Sequence, residues 1–167
     1  DCKFDQWSYY ENTNLVRLGQ DTNGDGSPDA LNFFGRDGKA VQQEIASGSN
    51  GKSPDKKLFL GPGDAIVAQC LFNPQTQKLD TRAVVEGGVV TEVLIDSVGK
   101  GVADTREVYQ RGERVRLDAD TNADRKPDVF QYFKGGAIAR QDEDTNFDGV
   151  IDQRFDAGKP ASVPAGT

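Results

Sequence analysis

The chain has 167 residues, of which 35% are hydrophobic and 28% charged, with 27 acidic side chains against 20 basic ones and a net charge of -7. Those numbers suit one domain with little core material, and the acidity argues against nucleic acid and anionic membranes, which need a basic surface. Histidine is absent, which removes Ser-His-Asp and Cys-His catalysis, histidine-based zinc sites and the usual general base near neutral pH.

The chain opens without an initiator Met or a signal peptide, so it is expected to be a processed or trimmed piece. Asp1 and Asp5 fit the fifth and ninth positions of an acidic loop met again further on, and Tyr9-Tyr10 begin the apolar pattern that follows each such loop. The first full loop runs Asp21-Thr-Asn-Gly-Asp-Gly-Ser-Pro-Asp29. Phe33-Phe34, the turn Asp37-Gly38 and Val41 lead to a degenerate loop, Ser47–Asp55. Phe59-Leu60 and Ile66-Val67 lead to another, Phe72–Asp80. Val84-Val85, Gly87-Gly88 and Val89-Val90 precede a third, Asp96–Asp104. Val108-Tyr109, Arg111-Gly112 and Val115 precede Asp120-Thr-Asn-Ala-Asp-Arg-Lys-Pro-Asp128. Tyr132-Phe133, Gly135-Gly136 and Ile138 precede Asp144-Thr-Asn-Phe-Asp-Gly-Val-Ile-Asp152.

The loops start at residues 21, 47, 72, 96, 120 and 144, a spacing that settles to 24. Arg17, Arg116 and Arg140 each stand four residues before a loop. Short β-rich runs split by glycine turns read as hairpins, so each unit is strand, tight turn, strand and Asp-rich loop. The expected fold is all-β: antiparallel hairpin repeats of about 24 residues, in a curled or barrel-like sheet with the acidic loops on one edge. Residues 1–157 are expected to form this single domain and 158–167 a flexible tail. No apolar run approaches the roughly 18 residues of a membrane span.

Oxygen donors at loop positions 1, 3, 5 and 9, with a carbonyl from position 7, suit a hard cation, since Ca²⁺ takes about six to eight oxygens. Asp21, Asn23, Asp25 and Asp29 with the carbonyl of Ser27 form one such set. Asp120, Asn122, Asp124 and Asp128 with Lys126 form a second, and Asp144, Asn146, Asp148 and Asp152 with Val150 a third. Gly26 and Gly149 suit the positive φ of a sharp turn, whereas Arg125 pays on the order of 1 kcal/mol there and makes the middle set the weakest. The other loops lack the donors and are not expected to bind; in the loop from Asp96, Lys100 is placed to put its ammonium between Asp96 and Asp104. Turn chemistry alone favours Asp-Asn-Gly, but not a further carboxylate at a fixed ninth position in three copies.

The loops resemble the DxDxDGxxD calcium loops of integrin-type (FG-GAP) propeller repeats, dockerins and thrombospondin type 3 repeats. The likeness covers nine residues per unit. With its hairpin period the chain looks more like the Asp-rich tandem repeats of bacterial secreted proteins and surface lipoproteins. What the resemblance implies is calcium at the matching positions, two to three Ca²⁺ ions in all.

The expected function is therefore non-enzymatic: a calcium-binding module, secreted or in the cell envelope (bacterial surface or periplasm), used for adhesion, binding or assembly. Its expected partner is a protein or glycan at the cell surface, with no nucleic acid and no membrane span. The alternative is a carbohydrate-binding or enzyme-accessory domain with structural calcium, in which Trp7 and the Tyr pairs would stack on sugar. Packing along the sheet explains those aromatics better, because they recur in strand register. Gly51-Lys52-Ser53 lacks the spacing and helix of a phosphate-binding loop. Cys2 and Cys70 lie far apart in a flat meander, beyond the ~7 Å a disulfide allows, unless the sheet curls.

Overall fold

The computed structural model describes residues 4–47, 53–73 and 75–163. Among them are fourteen β-strands, one 3₁₀ turn at Pro62–Asp64 and no α-helix. The chain divides into two compact units, Asp1–Gly88 and Val89–Thr167. The first holds β1 (Gln6–Glu11), β2 (Asn14–Gln20), β3 (Ala30–Phe34), β4 (Ala40–Ile45), β5 (Lys56–Leu60), β6 (Ile66–Phe72) and β7 (Leu79–Glu86). The second holds β8 (Val89–Ile95), β9 (Thr105–Gln110), β10 (Glu113–Ala119), β11 (Val129–Lys134), β12 (Ala137–Glu143), β13 (Gln153–Asp156) and β14 (Lys159–Ala161).

Within each unit the strands pair antiparallel and their order in space is their order in the chain. The expected all-β antiparallel class is therefore what the structure holds. A barrel is not: β1 bonds β2 alone and β14 bonds β13 alone, so neither meander closes on itself. Lys159–Ala161, inside the segment expected to be a tail, pairs with β13. The Phe72–Asp80 loop is shorter than its register suggests, because Phe72 pairs Leu79 and Asp80 lies in β7.

Local chemistry explains the hairpins. Arg111-Gly112, Gly135-Gly136 and Ala157-Gly158 all have positive φ at both positions, the geometry of the two-residue turn whose twist matches the flanking strands. The adjacent apolar pairs mark β-bulges. Tyr9 faces Arg17 and Tyr10 faces Leu15, so Val16 is the extra residue; Val41, Val67 and Ala139 are extra in the same way. A bulge sets two residues against one and bends its strand.

The core is thin, as the composition predicts: among the described residues Leu58, Ala68 and Cys70 are the buried hydrophobics, and no side chain is completely buried. Polar ladders on the sheet faces compensate. In the second unit Arg106, Asp118, Phe130, Asp142 and Arg154 follow one another across β9 to β13. Two residues along each strand, Val108, Arg116, Tyr132, Arg140 and Asp156 form the parallel row, on the same face because side chains alternate. Asp118 and Asp142 are only 5% and 4% exposed. Arg154 donates to Asp142 from Nε at 2.7 Å and Nη2 at 3.0 Å, and Arg116 Nε donates to Asp118 at 2.5 Å. Arg140 lies 3.8 Å above the Tyr132 ring, with Nε 3.3 Å from Asp142. A buried carboxylate is tolerated when it is paired and hydrogen-bonded in this way.

Candidate functional site

The loops Asp21–Asp29, Asp120–Asp128 and Asp144–Asp152 join β2 to β3, β10 to β11 and β12 to β13. Each is closed by its own backbone: the ninth residue donates its N–H to the residue before the loop, as Asp29 to Gln20 at 3.0 Å and Asp152 to Glu143 at 2.8 Å. Consecutive loops are also tied, since the Asp120 N–H reaches the Asp104 carbonyl and the Asp144 N–H the Asp128 carbonyl, both at 2.8 Å.

Side chains fix the rest. The first carboxylate accepts the sixth N–H, from Gly26 at 2.7 Å, Arg125 at 2.8 Å and Gly149 at 2.7 Å. The third residue's amide oxygen accepts the fifth N–H, from Asp25 at 2.9 Å, Asp124 at 2.8 Å and Asp148 at 3.0 Å. The fifth carboxylate accepts the seventh N–H, from Ser27, Lys126 and Val150, each at 2.8 Å. The ninth carboxylate accepts both the N–H and the hydroxyl of the second residue, Thr22, Thr121 or Thr145. Sequence reasoning assigned those threonines no part, although their presence at one position in three loops was a readable signal.

Backbone strain falls where expected and also one place further. Gly26, Arg125 and Gly149 have φ of 90°, 73° and 90°. The fourth residues are left-handed as well: Gly24 at 77°, Ala123 at 65° and Phe147 at 62°. A left-handed non-glycine costs roughly 1–2 kcal/mol, so the second loop holds two strained residues, Ala123 and Arg125.

The loop Asp96–Asp104 is an internal control. Gly99 and Gly101 carry the same positive φ. Asp96 accepts the N–H groups of Lys100 and Gly101, and Asp104 those of Ser97 and Val98. The wrap thus forms without oxygen donors at positions 3 and 5, which are Val98 and Lys100. The expected bridge from the Lys100 ammonium is not there: the ion pairs among the described residues do not include Lys100. Its side chain is not needed, because backbone N–H groups already satisfy both carboxylates. In the Ser47–Asp55 loop the Ser47 N–H reaches Asp55 at 3.0 Å; residues 48–52, most of the Gly51-Lys52-Ser53 motif among them, lie outside the described residues, as does Cys2.

Electrostatics follow from these bonds. Desolvation acts to raise the Asp21 carboxyl, but N–H donors from Gly26, Gly24, Asp25 and Asn23 outweigh it and hold the group below its usual value. Asp104 is lowered likewise, desolvation being overcome by Ser97, Thr105 and the Val98 N–H. Burial pushes the Cys70 thiol up, against Arg82 and Lys57.

The donor set fits a hard cation in chemistry. All three loops offer carboxylate and amide oxygens at positions 1, 3, 5 and 9. An ionised carboxylate has about four lone-pair sites, so Asp25, Asp124 and Asp148, each holding one N–H, keep capacity for a metal. None of the nine loop carboxylates takes part in the ion pairs among the described residues. Among the described residues, however, no three carboxylates or thiolates already meet in a cage; the oxygens face backbone N–H groups.

The aromatics are held by cations. Arg17 lies 3.8 Å above Tyr9 and Arg114 4.2 Å above Phe133. Arg140 lies likewise on Tyr132.

No helix among the described residues is long and apolar enough to cross a membrane. No family model matches the chain, and no curated protein matches it. Among solved structures it is similar to one titled "Crystal structure of accessory secretory protein 1,2 and 3 in Streptococcus pneumoniae", with 13% identity, a TM-score of 0.34 and 72% of this chain covered. The chain spans 20% of the length of that protein.

Proposed function

We propose that the chain is a non-enzymatic calcium-binding repeat module, working outside the cytosol in secreted or cell-envelope form for adhesion, binding or assembly. The observation that carries this reading is the same hydrogen-bond wrap in the loops from Asp21, Asp120 and Asp144, each with side-chain oxygens at positions 1, 3, 5 and 9 and no ion pair to a basic side chain among the described residues. The loop from Asp96, wrapped alike but lacking two donors, supports reading those oxygens as ligands rather than as turn residues. The period of about 24 residues fits one hairpin and one loop per unit.

In this reading Asp21, Asn23, Asp25, Asp29 and the Ser27 carbonyl hold the first ion. Asp120, Asn122, Asp124, Asp128 and Lys126 hold the second, and Asp144, Asn146, Asp148, Asp152 and Val150 the third. Bound calcium supplies countercharge and no chemistry: three ions bring the formal charge from -7 to -1. The chain's own part is to fold nine carboxylates onto short loops and orient them with backbone N–H groups.

The stabilisation is modest per site. Extracellular modules bind with Kd of roughly 0.1–1 mM, so about 1 mM calcium adds on the order of 0.4–1.4 kcal/mol for each ion. Thermal melts in about 1 mM calcium and in excess EDTA test it: a rise of several degrees in calcium, reduced in Asp148→Ala and in Asp25→Ala, is expected. Equal melting temperatures in both buffers would overturn the proposal.

A further inference from the structure

The arginine that precedes each acidic loop has a carboxylate beside it in the second unit and none in the first. Arg116 and Arg140 are followed two residues on, on the same face, by Asp118 and Asp142, which they contact. Arg17 is followed by Gly19. It stacks at 3.8 Å on the tyrosine opposite, Tyr9, as Arg140 does on Tyr132, but faces Phe33 where Arg140 faces Asp156. Where Asp142 faces Arg154 and Phe130 across the sheet, Gly19 faces Trp7 and Leu31. Arg17 itself faces Phe33 on its other side. Arg17 is half-buried, its Nε is buried without a hydrogen-bond partner, and the ion pairs among the described residues do not include it. Stacking leaves Arg140 Nε without a well-directed bond too, so the difference between the two arginines is the carboxylate.

We propose that Arg17, with Trp7, Tyr9 and Phe33, binds a carboxylate carried on an apolar chain, the ligand's acid meeting the guanidinium from the solvent side. A guanidinium stacked on a tyrosine keeps its in-plane N–H donors available and matches a carboxylate bidentately. Partial burial without a counter-ion makes such a partner worth more than it would be in open water. The acid must come from outside the sheet. A Cβ built on Gly19 would lie 3.0 Å from Pro28 Cβ and 3.3 Å from Leu31 Cδ2, so the space beneath is filled. Those atoms and Trp7 offer apolar contact to the chain that bears the carboxylate, and they disfavour a phosphate or a hydrated sugar acid.

Trp7 is the chain's single tryptophan and reports on the site. Hexanoate titrated into the intact chain should change its fluorescence saturably in the millimolar range, while hexanol should not. Arg17→Gln should weaken the response roughly tenfold or abolish it. Equal titration of the parent and Arg17→Gln, or an equal response to hexanol, would overturn the proposal. Acetyl-Leu-Asp-Leu-amide and acetyl-Leu-Leu with a free carboxyl terminus separate a side-chain acid from a chain end. A response to hexanoate with neither peptide active would place the ligand among small carboxylates. The titration is run in calcium and in EDTA, so it stands or falls apart from the calcium reading.

Discussion

Replacing Asp142 by Ala should be among the most damaging single changes in the second unit. The carboxylate is 4% exposed and takes two hydrogen bonds from Arg154 and an ion pair from Arg140. Its removal strands Arg154, whose side chain is 11% exposed, with only the field of Asp156 to offset its charge, whereas Arg140, 37% exposed, can rehydrate. Breaking a buried pair from one side costs about 3–5 kcal/mol, chiefly the penalty of the charge left behind. At a few degrees per kcal/mol, the melting temperature by circular dichroism should fall on the order of 10 °C. Adding Arg154→Met to Asp142→Ala removes the stranded cation and should recover about 1–3 kcal/mol of the loss. A single variant within about 1 kcal/mol of the parent would refute the idea that this network substitutes for the missing hydrophobic core.

Arg125→Gly removes a left-handed arginine at φ 73°; against the entropy glycine adds to the unfolded chain, a net gain of about 0.5–1 kcal/mol is expected, read by denaturant unfolding and as tighter calcium binding. Val98→Asn with Lys100→Asp restores the absent donors to a loop that already has the wrap, so calorimetry should count one more calcium than in the parent. Acid should destabilise the fold in a defined window. The lowered Asp21 and Asp104 groups favour ionisation when folded, so their contribution is complete above the unfolded pKa of about 3.9 and is lost as pH falls through the lower folded values. Melting temperature should be flat near neutrality and drop below about pH 4.

The hairpins and acidic loops were legible because their determinants are local. Glycine pairs set the turns, and the first and ninth aspartates cap N–H groups a few residues away. The left-handed fourth position was hidden, since Ala123 and Phe147 are not residues that advertise it. The bulges were half visible: paired aromatics such as Phe33-Phe34 were noticed, but the extra residue lies on the opposite strand, at Val41. The arginine–aspartate ladder joins residues of different strands, so reading it needs the register. The sequence itself carries Arg-x-Asp at 116–118 and 140–142 against Arg-x-Gly at 17–19. The barrel was expected because neighbouring apolar residues point to both faces. The bulges and stacked cations instead accommodate those residues in open meanders.

The measurement that bears most directly on the central claim is calorimetric titration of calcium into chelator-stripped protein, repeated with Asp148→Ala. The account predicts two to three ions bound per chain with Kd of roughly 0.1–1 mM, and one fewer in the variant. No heat of binding, or the same count in both proteins, would contradict it and leave the loops as turns closed by their own aspartates.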